Sequence, residues 1–154
     1  MNSLMRSLCA VAAACSLASA VQAQDRGSRE EAKALVNAAV AHVKEVGADK
    51  AFDDFTKDKA TWTKKDLYIV AHDISGSVKA HGANEKMVGK NIINLKDPTG
   101  KELVKECTAV AVNSGEGWCD YQWIHPQTKK MDDKSSFIKR VPGTDFLVLV
   151  GVYR

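Results

Sequence analysis

The sequence predicts an α+β domain built around one antiparallel sheet, on three observations. Residues 117–125, GWCDYQWIH, combine β-branched and aromatic residues with the two-residue alternation of a strand. Residues 146–153, FLVLVGVY, are almost continuously apolar, as in a strand covered on both faces. Ahead of both, Ala32, Leu35, Val36, Ala39, Val40, Val43 and Val46 recur at steps of three and four, one helical stripe of about five turns.

That first helix has a capping box in Ser28-Arg29-Glu30-Glu31 and a stop in Gly47. Its stripe must lie on a sheet or on a second copy of itself. His42, at the stripe's edge, reads as surface or helix packing. A shorter helix from Ala48 places Ala51, Phe52 and Phe55 on one side and Asp49, Asp53, Asp54 and Asp58 towards water. Thr61-Trp62-Thr63 is a candidate extended piece.

Residues 67–73, LYIVAHD, alternate as a strand, Ser75-Gly76 turns the chain, and residues 78–81 return beside it as a hairpin. Residues 82–100 are loop-rich, with one helical turn at residues 84–87. A helix follows from Lys101, bearing Leu103, Val104, Cys107, Val110 and Ala111 on its apolar side. After the aromatic strand, residues 134–141 form another, with Ser136, Ile138 and Arg140 opposed to Ser135, Phe137, Lys139 and Val141. Gly151, inside the last strand, marks a bulge or a close approach of another group. The count is about five strands.

Composition bounds the function. The chain has 154 residues, room for one compact domain, and its 22 basic and 19 acidic residues leave a net charge of +3. With no basic run longer than two, a nucleic-acid surface is not supported. Arg6, the apolar residues 8–20 and the small residues before Gln24 read as a signal peptide over residues 1–23, with residues 24–154 as the exported domain in the periplasm or outside the cell. A membrane anchor and a lipid on Cys15 are the alternatives. Export removes Cys9 and Cys15, and the remaining Cys107 and Cys119 are then expected to be bridged. No G-x-S-x-G, H-E-x-x-H, phosphate loop or C-x-x-C-H occurs, so no enzyme class and no cofactor is indicated.

The order of local motifs resembles the single Cache domains, extracytoplasmic sensing modules of the PAS-like fold, in their stand-alone secreted form. The matching pieces are residues 68–73 through Gly76, His81, Gly89-Lys90-Asn91, Asp97 and Gly100. They continue with Gly117-Trp118, Tyr121 and Trp123, His125-Pro126, Lys134 with Phe137, Val141-Pro142-Gly143 and Gly151-Val152-Tyr153. The resemblance implies a non-catalytic module that binds a small organic acid between the sheet and its covering loop and helix. It also implies a long helix serving as stalk or homodimer element, and a membrane sensor or transporter as partner.

Carried onto this chain, the ligand-binding candidates are Tyr68, His81, Tyr121, Trp123 and Lys134. Lys134 would answer a carboxylate, or else stand solvated beside Asp132 and Asp133. His81 would donate a hydrogen bond, or else end a strand. Tyr121 would aim its hydroxyl at a ligand or simply pack, while Tyr68 and Trp123 would shape the cavity. Two departures from the family stand out: Gly82 where proline is common, expected to loosen that loop, and Phe137 without a tyrosine hydroxyl. A structural or partner-binding subunit with a vestigial pocket, and a small enzyme of unrecognised type, are the competing readings.

Overall fold

In the computed structural model, residues 26–154 are described, and the expected signal peptide, with Cys9 and Cys15, lies outside them. The chain runs α1 (Arg29–Val46), α2 (Ala48–Lys57), α3 (Lys59–Trp62), β1 (Thr63–Lys64), β2 (Leu67–Asp73), β3 (Val78–His81), α4 (Leu103–Ser114), β4 (Glu116–Ile124), β5 (Met131–Arg140) and β6 (Phe146–Tyr153). A 3-10 turn over Glu85–Met87 interrupts the loop before α4. The sheet has six strands, ordered β1-β2-β6-β5-β4 with β3 also on β2, and every pairing is antiparallel. The extra strand is the two-residue β1. The piece expected to be extended at residues 61–63 instead begins as the short α3, because Asp58 caps it by accepting from Thr61 N, and the chain extends only from Thr63.

The sheet divides two apolar layers. On one face, Ala32, Val36, Ala39, Val40 and Val43 of α1, with Phe52, Phe55 and Trp62, pack on Ile69, Phe137, Val148, Val150 and Val152. The α1 stripe is therefore buried against the chain's own sheet. Ser28 and Glu31 close the capping box that starts it. His42 packs between helices as expected, with Nε2 2.9 Å from Asp54 Oδ2 and its ring against Trp62. On the opposite face, Leu103, Val104, Cys107 and Ala111 of α4 meet Cys119, Tyr121, Ile138, Leu147 and Leu149. Strand β6 contributes to both layers, which is why its sequence does not alternate.

The loop over the second face is tied down at both ends. At its start Asn91 Nδ2 donates to Ser75 O, and Ile92 N to Gly76 O, beside the β2–β3 turn. Near its end Asp97 Oδ1 accepts from Thr99 N, Thr99 Oγ1 and Lys101 N, while Oδ2 accepts from Gln122 N of β4. Those hydrogen bonds hold the Asp97 carboxyl down to about 2, the Thr99 hydroxyl contributing most. A disulfide between Cys107 and Cys119, Cα atoms 5.4 Å apart, joins α4 to β4 as the cysteine count predicts.

Candidate functional site

Strand register assembles the site. Lys134 of β5 lies directly opposite Tyr121 on β4 and Tyr153 on β6, so the three form one row across three strands. In the next row Cys119, Ser136 and Gly151 align. All these side chains point to the face covered by α4 and the loop, and Tyr68, His72, His81 and Trp123 line the same cavity. It measures about 60 Å³, and its remaining wall is apolar, with Val70, Ile92, Leu95, Leu103, Val104 and Leu149. Drug-sized ligands occupy several hundred Å³. The space suits a molecule of a few heavy atoms.

Lys134 is the cavity's charged group, and it is only 3% exposed. The alternative of a solvated lysine beside Asp132 and Asp133 does not hold, because alternation turns Lys134 inward with Ser136 and Ile138. Its Nζ donates to Tyr68 Oη at 2.8 Å and to Tyr153 Oη at 3.1 Å, and sits 4.4 and 4.5 Å from the two ring centroids. Tyr153 Oη in turn donates to Ile124 O. Among the described residues, the Lys134 side chain is thus held by two phenols and no carboxylate. Burial lowers its ammonium to about 7, opposed by the more distant negative charge of Asp66.

His81 stacks on Tyr68 with ring centroids 5.4 Å apart. Its Nδ1 accepts from Ala83 N and Asn84 N, so in the neutral ring the proton is on Nε2. Burial first, then the nearby Lys134 charge, lowers the imidazole to about 4, which makes His81 a neutral donor at physiological pH. Tyr121 Oη pairs with Ser136 Oγ at 2.7 Å, and its ring meets Trp123 edge-on at 6.4 Å. Burial raises the phenols of Tyr68, Tyr121 and Tyr153, keeping all three protonated.

The structure therefore brings all five sequence candidates to one cavity. The two departures from the family pattern do not disturb it. Gly82 N donates to Ile69 O at 2.7 Å, so the expected loosening is absent: glycine supplies an N–H to β2 that proline lacks. Phe137 points to the other face, against Trp118. Sequence reasoning left Tyr153, Ser136 and His72 out of the site. The signal for Ser136 was Gly151, where a Cβ would fall 2.0 Å from Lys134 Cε and 2.6 Å from Ser136 Oγ. His72 reaches the cavity by the alternation of β2, on the same face as Tyr68 and Val70.

Behind the site lies a second buried polar cluster. His125 and Asp66 face each other at 3.4 Å with both side chains fully buried. His125 Nδ1 accepts from Gln127 N and Thr128 N, its ring packs 4.4 Å from that of Tyr153, and Asp66 Oδ1 accepts from Gly27 N at the foot of α1.

The family model described as Single Cache domain 2 matches residues 9–154. Among curated proteins, the sensor histidine kinase MctS of Rhizobium johnstonii is 33% identical over 89 residues, 58% of this chain and 19% of the kinase. The methyl-accepting chemotaxis protein McpP of Pseudomonas putida is 26% identical over 57% of this chain and 16% of its own length. The matched region thus spans less than a fifth of either relative. A methyl-accepting chemotaxis protein from Vibrio parahaemolyticus superposes with a TM-score of 0.69 at 23% identity, over 80% of this chain and 86% of that one. A Cache chemosensory domain, described in terms of its structural basis for carboxylic acid recognition, gives 0.68 at 21%, over 80% and 91%. These two structures share the fold. No helix among the described residues is long and apolar enough to cross a membrane.

Proposed function

The chain belongs to the single Cache domain 2 family, and on that premise we propose that it is an extracytoplasmic, non-catalytic module that binds a small carboxylate in the cavity under α4. The observation that carries the reading is Lys134, a buried amine whose only hydrogen-bond partners among the described residues are phenols, set in an apolar wall. A carboxylate supplies the counter-charge it lacks and a charge-assisted hydrogen bond. Tyr68 and Tyr153 aim the amine, His81 Nε2–H and the Tyr121–Ser136 pair offer further polar contacts, and Trp123 closes the wall. The Cys107–Cys119 bridge fits an oxidising compartment, reached through residues 1–23 acting as a leader.

Output would pass to a membrane sensor such as the kinase and chemoreceptor relatives. A homodimer through α1 would have to use the helix's polar outer face, since the apolar stripe is occupied by the sheet. The test is a thermal-shift and calorimetric screen of the purified protein against acids of two to four carbons. Saturable stabilisation by one class of acid is expected, because selective binding to the folded state must raise Tm. A flat response from a folded sample would remove the reading.

A further inference from the structure

This inference rests on the carboxylate reading and concerns what else must happen when the acid binds. An ammonium buried without a counter-ion is costly, and such a group gives up its proton rather than remain charged. Lys134 is in that position. Its two hydrogen-bond partners are uncharged phenols, kept protonated by their own burial. The one buried carboxylate in the neighbourhood, Asp66, is turned to Gly27 N and towards His125 Nε2, and forms no ion pair with Lys134.

The other groups facing the cavity leave the amine equally alone. From β2 and β3 come His72 and His81, both lowered by burial and therefore neutral, and from β4 comes Tyr121. Lys59, whose charge reaches His81, is occupied by the carbonyls of Thr56 and Gly82. From α4 and the covering loop the lining is apolar, including Met87, Ile92, Leu103 and Val104.

We propose that a carboxylate enters this cavity with uptake of one proton, which adds to the lone pair of Lys134 Nζ and leaves an ammonium–carboxylate pair in place of a free amine. The net charge of the filled cavity is then the same as that of the empty one. Binding of the anion plus a proton is thermodynamically binding of the acid itself, so wherever the empty-site amine is uncharged the module responds to the product of anion and proton concentrations rather than to the anion alone. The burial that lowers the Lys134 ammonium to about 7 puts the change near neutrality. Below that point the amine is already charged and affinity is flat. Above it affinity falls with each unit of pH until the proton can no longer be recruited.

The experiment is isothermal calorimetry of the whole protein with acetate and with propionate at pH 6, 7 and 8, each in two buffers of different ionisation enthalpy. Expected are a Kd about 10-fold weaker at pH 8 than at pH 6, close to one proton taken up at pH 8 and almost none at pH 6. His81→Gln is expected to bind more weakly but to take up the same number of protons per acid bound at pH 8, which separates the lysine from the imidazole. A pH-independent Kd with no buffer dependence would overturn the inference while leaving the carboxylate site standing. Acid binding without proton uptake in His81→Gln would also overturn it, by assigning the proton to the imidazole. Absence of binding by a folded protein at every pH would overturn both readings.

Discussion

Gly151 keeps open the space through which the Lys134 side chain runs. A Cβ at that position would meet Lys134 Cε at 2.0 Å and Ser136 Oγ at 2.6 Å, contacts far inside van der Waals separation. The lysine and glycine lie on neighbouring strands, one row apart in the β5–β6 register. Gly151→Ala is accordingly expected to expel the amine from its seat between the two phenols. Carboxylate affinity should be lost, with about 1–3 kcal/mol of destabilisation from overpacking. Calorimetry together with denaturant unfolding checks it; retained affinity would mean that the lysine is not the anchor.

Lys134→Met removes the charge and keeps most of the volume. Binding is expected to vanish, and stability should not fall at neutral pH, because an apolar chain replaces an unpaired buried amine. The pH dependence is diagnostic. The folded-state value of about 7 lies below the roughly 10.4 of an unfolded lysine, so between them the unfolded chain holds more protons and stability rises with pH. The empty wild type should therefore gain Tm from pH 7 to pH 9 relative to Lys134→Met. Parallel curves would show that the lysine is not the source.

The disulfide closes a loop spanning a sequence separation of 12. In the chain-entropy account that contributes about 3 kcal/mol. Reduction, or Cys107→Ser with Cys119→Ser, should lower Tm with little change in far-UV dichroism, since α4 and β4 keep their own hydrogen bonds. Equal melting curves with and without reductant would contradict a bridged pair in solution.

Asp97 clamps the covering loop to β4. Asp97→Ala is expected to speed acid dissociation more than it changes the melting temperature, measured by stopped-flow exchange against Tm. In the wild type the same carboxyl, held at about 2 when folded against roughly 3.9 unfolded, contributes stability that is present above pH 4 and lost as pH falls towards 2. An acid limb unchanged in the variant would remove Asp97 as a contributor.

Much of this molecule was legible in the sequence because its signals are local. The stripe of α1, the alternation of β4 and the unbroken apolar run of β6 each specify their own burial. The burial of Lys134 is different. Asp132-Asp133-Lys134-Ser135-Ser136 reads as a polar segment, and only the neighbouring strand makes it an interior one: Gly151 vacates the space and Tyr68 and Tyr153 receive the amine. Tyr153 was overlooked for the same reason, since its role depends on a cross-strand pairing with Lys134 that no single segment reveals. Asp66 and His125, 59 positions apart in the chain, find each other only through the sheet. The resemblance to the Cache family compensated for part of this by pointing to Lys134, but its two apparent departures had to be placed in space before either could be set aside.

The bridge between Cys107 and Cys119 also restricts how the cavity can open. Pinned to β4 through a covalent bond, α4 cannot lift away as a flap. The stretch from Gly82 to Lys96 carries no disulfide; hydrogen bonds of Gly89, Lys90, Asn91 and Ile92 hold it to the β2–β3 hairpin, and the Asp97 clamp follows it. An acid in the proposed site would therefore exchange beneath Met87, Ile92 and Leu95, at a rate limited by how often those hydrogen bonds open.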